Sequence, residues 1–455
     1  MSHDSTRLFG TDGIRGHFGE PPLERATVTA LAVHLAATLR ERGNGSSPRV
    51  VLGGDTREST PEICRWLAAG LLAGGVEVRY AGVIPTPGVA YLARETGADA
   101  GVVVSASHNP YPDNGIKLID PLGQKWSDED EMALERRIKA SPADPLADLP
   151  AGQPAVEPEL RERYLRHLVS TVPGERPLAG LRVVLDTGNG AASAYAGELF
   201  ERLGAGVTLL HAAPDGRNVN ERCGSTAPGE MAARVVAEGA DLGAAFDGDA
   251  DRCILADEKG EVRDGDAILY LWATCLHRSG RLDPPRIVAT SMSNLGLERA
   301  LEAEGIGIVR CAVGDRYVVE AMRKEGILLG GEQSGHIVQS HLASTGDGLL
   351  TAVQMAYLRH QDGRPLSAML APFRRYPQVL LNVRVKRKVD FKALPAVTST
   401  ATSVEERLGG DGRLVLRYSG TEPLARIMIE GPEQGAIDAL AEELAVAIRG
   451  ELGAA

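Results

Sequence analysis

The chain has 455 residues, a net charge of −12, and only 4% aromatic residues. That length exceeds one ordinary core and predicts about three domains, or four small ones. An acidic chain with no long basic run argues against nucleic acid or an anionic membrane as partner, and no apolar run approaches the ~18 residues of a membrane span.

The amino terminus, MSHDSTRLFGTDG, lacks a basic-then-apolar leader. Five cysteines (Cys64, Cys223, Cys253, Cys275 and Cys311) are scattered and form no C-x-x-C pair. That argues for a reducing cytoplasm and against a disulfide framework or a zinc site.

In chain order, residues 7–16 place glycines and two arginines around a turn. Residues 26–40 have helical spacing. A short strand at 49–52 runs into Gly53-Gly54-Asp55-Thr56-Arg57, and 61–73 reads as a helix with Thr60 as N-cap and Pro61 at its first position. A strand at 76–80 precedes a helix begun by Pro85-Thr86-Pro87. The β-branched run Val102–Val104 predicts a buried strand. It breaks into Ser105-Ala106-Ser107-His108-Asn109-Pro110, and with Asn114-Gly115 as a second turn signal the polar residues are expected on a loop past a strand end. A charged helix is expected over 127–140 and a linker over 141–158.

The second stretch repeats the alternation. A strand at 181–185 leads through Asp186-Thr187-Gly188-Asn189-Gly190 into a helix to about 203, then a strand at 207–210, a helix at 228–238, and strands at 242–246 and 253–256. A third stretch has a helix at 267–277, a strand at 286–289, a helix to 304, strands at 306–309 and 326–329, and a helix at 347–360. The tail differs: an alternating strand at 379–385, a helical run, strands at 413–416 and 425–430, and a last helix at 435–449. No repeat is visible by letter, yet three successive α/β units predict a repeated architecture followed by a small α+β domain with antiparallel pairing.

Four segments carry chemistry. On the Ser105–Pro110 loop, either Ser105 or Ser107 could be a nucleophile or phosphate carrier; the plain alternative is a turn whose side chains satisfy their own backbone. Asp247-Gly248-Asp249-Ala250-Asp251-Arg252 brings three hard oxygen ligands together, which suits Mg²⁺ or Ca²⁺. It is not an EF-hand, although Glu258 stands at the twelfth position: the sixth, which needs glycine, is Arg252, and the flanks read as strands. In Gly330-Gly331-Glu332-Gln333-Ser334-Gly335-His336, glycines allow close backbone approach, and Glu332 and Ser334 can bond sugar hydroxyls or an amine. Finally, Arg417-Tyr418-Ser419-Gly420-Thr421-Glu422-Pro423, with Arg426 nearby, offers hydroxyls, backbone N–H groups and two arginines as a phosphate cradle that is not a Walker loop. Each segment falls on a different expected domain, so a cleft between four domains would unite them.

In this order the segments resemble the α-D-phosphohexomutase superfamily over nearly the whole chain. The resemblance rests on FGTDGIRG, SASHNPYPDNGIK, DGDADR, VGDRYV at 313–318, GEQSGH, TGDG at 345–348 and RYSGTEP. Pro112 departs slightly from the usual run and touches only local loop shape. Asp315 and Gln333 point to the aminosugar branch, because the branch acting on neutral hexoses typically has histidine and methionine there.

The resemblance implies three related three-layer α/β domains and a smaller C-terminal α+β domain around a central cleft, with bounds 1–155, 156–257, 258–372 and 373–455. It selects Ser107, beside His108, as the phosphoserine, and makes it a Mg²⁺ ligand with Asp247, Asp249 and Asp251. It puts Glu332 and Ser334 on the sugar, and Arg417, Ser419, Gly420, Thr421 and Arg426 on the phosphate. Arg15, Lys117, Arg252 and His336 are then candidates for transition-state charge and proton transfer. The implied reaction interconverts glucosamine 6-phosphate and 1-phosphate, with glucosamine or glucose 1,6-bisphosphate as activator. The product would feed UDP-N-acetylglucosamine and cell-wall synthesis in the cytoplasm, and the resemblance leaves room for a homodimer. Rival readings are the same chemistry on glucose or mannose phosphates, a sugar-phosphate phosphatase, and a non-catalytic phosphosugar sensor. A sensor need not keep the carrier serine or the aspartates.

Overall fold

The computed structural model describes residues 7–10, 12–43, 45–140, 154–419 and 423–453. The chain forms two compact units, one of Met1–Met292 with Ile308–Leu370 and one of Ser293–Gly307 with Ala371–Ala455.

The first sheet contains β1 (Ile14–His17), β2 (Arg49–Gly54), β3 (Glu77–Val83), β4 (Ala100–Val104) and β5 (Asp113–Ile119), in the order β1-β5-β4-β2-β3. Helices α1 (Arg25–Arg42), α2 (Thr60–Ala73), α3 (Thr86–Glu95) and α4 (Asp128–Lys139) accompany it. β2 lies parallel to β3 and β4, while β5 is antiparallel to both β4 and β1. Leu31, Leu35, Val50, Leu52, Leu67 and Val102 form the centre of one apolar core.

Two details depart from the sequence reading. Asn114 and Gly115 are not a turn but the second and third residues of β5, opposite Gly16 and Arg15. The Asn114 amide donates to Ser59 Oγ (2.8 Å) and Thr60 Oγ1 (3.1 Å), which takes it out of local turn chemistry. A Cβ on Gly115 would stand 2.7 Å from the carbonyls of Ile14 and Ser105, so glycine is needed for strand packing. Second, Ser59 occupies the N-cap of α2, and Thr60 is already helical, its hydroxyl donating to Asp55 Oδ1 at 3.0 Å.

The next sheet is built from α5 (Pro158–Ser170), β6 (Arg182–Asp186), α6 (Ala196–Arg202), β7 (Gly206–Leu210), α7 (Gly229–Glu238), β8 (Leu242–Phe246), β9 (Cys253–Asp257) and β10 (Val262–Arg263). Its order is β10-β9-β8-β6-β7. A 3-10 turn at Ala191–Ala194 precedes α6, so the helix expected directly after Gly190 starts later. The third sheet uses α8 (Gly265–Arg278), β11 (Arg286–Thr290), α9 (Leu295–Glu302), β12 (Gly307–Cys311), α10 (Asp315–Glu325), β13 (Leu329–Gly331), β14 (Ile337–Gln339), α11 (Gly348–Asp362) and α12 (Leu366–Met369), in the order β12-β11-β13-β14.

These sheets share one plan. The first strand lies between the second and third, and a fourth pairs antiparallel with the third (β2, β3, β4, β5; β6, β7, β8, β9; β11, β12, β13, β14). The repeat absent by letter is present in topology. It places the serine loop, the aspartate loop and the Glu332–His336 loop at the same connection, between third and fourth strands.

The second unit holds the antiparallel sheet β15-β17-β16, made of β15 (Gln378–Arg384), β16 (Arg413–Tyr418) and β17 (Leu424–Glu430), with α13 (Pro395–Leu408) and α14 (Gln434–Leu452). Val397, Ile427, Leu444 and Ile448 centre its own core. Among the described residues no helix is long and apolar enough to cross a membrane.

Candidate active site

Ser107 is buried and has a φ of 51°, the left-handed region that a non-glycine residue adopts only when its surroundings impose it. The imposing residue is Arg57. Its guanidinium, itself buried, donates to four carbonyls of the loop: Pro110 (2.5 Å) and Asp113 (2.9 Å) from Nη1, Ser107 (2.9 Å) and Asn109 (2.8 Å) from Nη2. Asp55 compensates the buried charge through Arg57 Nε at 2.8 Å. The Asn220 amide also donates to the Ser107 and Asn109 carbonyls, at 2.9 and 3.1 Å.

The two serines left open by the sequence differ in what binds them. Ser105 Oγ donates to Asp55 Oδ2 (2.6 Å) and accepts the Ser107 N–H (2.9 Å), so it is consumed in shaping the loop. Ser107 Oγ instead donates to Asp247 Oδ2 at 2.6 Å and lies 3.4 Å from His108 Nδ1. His108 is on the exposed side of the loop; loss of surrounding water, then Arg252 and Arg15, hold its pKa below the ordinary value.

Asp247, Asp249 and Asp251 follow β8, all buried, with one carboxylate oxygen of each within 4.8 Å of the others. Asp249 Oδ2 accepts from Thr86 Oγ1 (2.6 Å) and Lys117 Nζ (2.9 Å). Asp249 Oδ1 and Asp251 Oδ1 are buried with no hydrogen-bond partner. Burial, followed by the charges of Asp251 and Asp249, pushes the Asp247 carboxyl well above its usual range. Burial acts the same way on Asp251, but Lys117, His336 and Arg252 outweigh it and hold Asp251 well below. Two buried orphan oxygens in a cluster of mutually repelling carboxylates fit a hard divalent cation such as Mg²⁺.

Lys117 Nζ reaches Asp249 at 2.9 Å, Asp12 at 3.3 Å and Asp251 at 3.6 Å. Burial opposes its charge, yet those carboxylates hold its pKa above the ordinary value. Arg15 pairs with Asp12, leaving its Nη1 buried without a partner. Arg252 is half-buried, its Nε 3.8 Å from Asp251 Oδ1.

The Glu332–His336 loop packs directly on this group. The Gly335 carbonyl accepts the Cys253 N–H (3.1 Å), and a Cβ on Gly335 would lie 2.3 Å from the Cys253 carbonyl. His336 is buried with Nδ1 3.6 Å from Asp251, while its Nε2 accepts the Gly346 N–H at 3.1 Å. Glu332 accepts from the Gly314 N–H (2.9 Å) and from Ser334 Oγ (3.4 Å). Asp315, the first residue of α10, is engaged by Lys125 at 2.5 Å. The TGDG segment lies under the aspartate loop, where the Gly348 N–H donates to the Ala250 carbonyl at 2.9 Å.

Ser107, His108, Lys117, Arg15, Arg252, His336, Glu332, Ser334 and the three aspartates thus form one continuous group in the first unit. The second unit holds the residues that the sequence marks as a phosphate cradle. Arg417 and Arg426 are paired across β16 and β17, and Arg426 Nη2 donates to Ser419 Oγ at 3.4 Å. Lys388, which the sequence did not single out, donates to the Ser419 carbonyl at 2.6 Å. Gly420 and Thr421 lie outside the described residues. Asp55, Arg57, Asn220 and Asp12 were also missed. The segment Gly53–Arg57, standing at a strand end, and the FGTDGIRG run that contains Asp12 were the available signals.

Comparison with known proteins agrees with this organisation. Family models of phosphoglucomutase/phosphomannomutase match in order: α/β/α domain I at residues 6–144, domain II at 162–260, domain III at 264–376 and the C-terminal domain at 380–447. The chain belongs to the phosphoglucomutase/phosphomannomutase family. Within that family it is 48% identical over 438 residues to the phosphoglucosamine mutase of Moorella thermoacetica (94% of this chain, 96% of the relative). It is 46% identical over 446 residues to that of Solibacter usitatus (98% and 99%).

Among solved structures, a phosphoglucomutase/phosphomannomutase family protein from Burkholderia thailandensis superposes with a TM-score of 0.79 at 24% identity (98% of this chain, 97% of that one). The N-acetylphosphoglucosamine mutase of Aspergillus fumigatus, in complex with GlcNAc-6P and magnesium, gives 0.64 at 20% identity (98% and 96%). These two likenesses concern the fold.

Proposed function

We propose that this chain interconverts glucosamine 6-phosphate and glucosamine 1-phosphate through a phosphoserine at Ser107 and a sugar 1,6-bisphosphate. The observation that carries this is Ser107 Oγ, 2.6 Å from Asp247 at the edge of a buried three-aspartate cluster with two unpartnered oxygens. A phosphoserine brings a charge of about −1.5 to −2 to that position. A divalent cation held by Asp247, Asp249, Asp251 and a phosphate oxygen would offset this charge and polarise the phosphorus.

The chain's own groups do the rest. Arg57 and Asn220 fix the Ser107 loop so that the acceptor oxygen meets the phosphorus in line. Glucosamine 6-phosphate presents its O1, the Ser107 Oγ–P bond breaks as the O1–P bond forms, and the O1 proton leaves to a nearby base, for which His108 and His336 are candidates. Arg15, Lys117 and Arg252 face the charge that develops on the transferring group. The bisphosphate then turns over, and its 6-phosphate returns to Ser107 Oγ. Glu332 and Ser334 hold sugar hydroxyls in either orientation. Arg417, Ser419, Gly420, Thr421 and Arg426, now with Lys388, hold the phosphate that is not reacting.

The aminosugar preference is supported by the phosphoglucosamine mutases matched over nearly their full length. The same reading takes Mg²⁺ as cofactor and a hexose 1,6-bisphosphate as activator. It extends to domains near 1–155, 156–257, 258–372 and 373–455, to a homodimer, and to a cytoplasmic role supplying UDP-N-acetylglucosamine and cell-wall synthesis.

Phosphorus NMR tests it with the purified chain, Mg²⁺, a trace of hexose 1,6-bisphosphate, and glucosamine, glucose or mannose 6-phosphate in parallel. Glucosamine 1-phosphate should appear fastest. A neutral sugar winning by a wide margin would overturn the aminosugar preference, and release of free phosphate would replace the mutase with a phosphatase.

A further inference from the structure

The second domain carries a group of side chains that this reaction does not use. Asp186 ends β6, His211 directly follows β7, and Cys223 lies on the long connection to α7. One ligand atom from each lies within 4.8 Å of the other two. Asp186 and Cys223 are buried. Their wide and irregular spacing hides the group from any sequence motif.

The three donors converge closely enough to suit a coordination shell. His211 Nδ1 stands 3.0 Å from Asp186 Oδ1, near the ~3.3 Å between two ligands of a tetrahedral ion with bonds of about 2.0–2.1 Å. The other imidazole nitrogen, Nε2, faces Glu230 Oε2 at 3.4 Å, and a metal-bound imidazole commonly has such a carboxylate behind it. Asp186 is oriented by the N–H groups of Gly188 and Gly224, each at 2.9 Å. His211 has a φ of 48°, and its carbonyl accepts from Thr187 Oγ1 (2.6 Å) and the Asn189 N–H (2.7 Å). A strained backbone is thus maintained at the residue whose imidazole points to Asp186.

We propose that Asp186, His211 and Cys223 form a second cation site, built for a thiophilic transition ion such as Zn²⁺, with Glu230 supporting the imidazole and a fourth position open to water. Its oxygen, nitrogen and sulfur donors select a softer ion than the all-carboxylate cluster after β8. The site lies at both ends of the segment 211–223, which also carries Asn220. Asn220 donates its backbone N–H to the Gly188 carbonyl (2.9 Å) and its amide to the carbonyls of Ser107 and Asn109. A bound ion stiffens the arm that holds the serine loop; this consequence rests on the role given to Ser107, whereas the binding itself does not.

The test is a Co²⁺ titration of the full, metal-stripped chain in excess Mg²⁺, which fills the aspartate cluster. A thiolate-to-cobalt charge-transfer band saturating at one equivalent is expected, displaced by Zn²⁺ and lost in both Cys223→Ser and His211→Asn. Asparagine tolerates the left-handed backbone, and far-ultraviolet circular dichroism checks that each variant is folded. No thiolate band in the folded wild-type chain, or a band that persists in Cys223→Ser, overturns the site. Turnover is not the readout, so failure here leaves the mutase reading untouched.

Discussion

The same dipeptide stands at the ends of β2 and β6, the first strands of two sheets of the same plan: Asp55-Thr56 directly follows β2, and Asp186-Thr187 begins on the last residue of β6. Both carboxylates begin alike, each accepting the backbone N–H two residues on, from Arg57 at 3.1 Å and from Gly188 at 2.9 Å. They then diverge. Asp55 meets a buried guanidinium that gathers four carbonyls of the Ser107 loop. Asp186 meets the Gly224 N–H and an imidazole. The repeated scaffold supplies a fixed acceptor, and the side chain opposite it decides whether the neighbouring loop is itself gathered into a rigid platform or forms an arm that supports one.

The largest effect should come from breaking the platform at its tip. Ser107→Ala is expected to abolish turnover with thermal unfolding unchanged within a few degrees, while Ser105→Ala keeps measurable turnover because it loses only the two hydrogen bonds that shape the loop. Equal activities in the two variants would refute the assignment of the carrier. The next effect compares the two aspartates directly. Asp55→Asn leaves the Arg57 charge buried and unpaired, a loss of about 3–5 kcal/mol in urea unfolding. Asp186→Asn gives up part of a hydrogen-bond set, about 1–3 kcal/mol. A reversed order would contradict the contrast drawn between the strand ends.

A third carboxylate sharpens the picture. Asp347 caps α11 through the Leu350 N–H and accepts the Tyr164 hydroxyl at 2.8 Å, and burial raises its pKa from 3.8 to about 6. The folded state therefore keeps a proton that the unfolded chain has released. The stability from this group is full below pH ~4 and lost as pH rises through ~6, a change of up to about 3 kcal/mol. Asp347→Asn, still a good cap, should gain stability relative to wild type between those pH values. A difference that stays flat from pH 4 to 7 would remove this account. The smallest effect is expected from Asn220→Ala, about 1 kcal/mol in stability with a several-fold fall in kcat, since Arg57 still holds the same carbonyls. A fall in kcat as large as that of Ser107→Ala would mean that Asn220 touches the reacting group.

Much of this was legible beforehand. Strand ends followed by Ser107, Asp247 and Glu332 could be read from β-branched and apolar runs that stop at polar turns, and β8 and β15–β17 fell close to their expected places. What could not be read depends on distant partners. Asn114-Gly115 carries a turn signature, but Ser59, Thr60 and the β1 backbone draw it into a strand. Helix α5 has a periodic signal in Leu160, Tyr164, Leu165 and Leu168, in a stretch just past the linker expected over 141–158 to which no element is assigned. Arg57 reads as a surface residue in any sequence, and only the fold brings its carbonyl partners round it. The choice between Ser105 and Ser107 came from resemblance, whereas their hydrogen bonds separate them physically.

The left-handed backbone at Ser107 bears on which amino acids can take its place. Threonine carries the same hydroxyl and would be chemically competent, but a β-branched residue is a steric outlier at that φ. On the proposed reaction, the identity of the carrier is set by the main chain as much as by the oxygen it offers, and a substitution that conserves the chemistry does not conserve the loop.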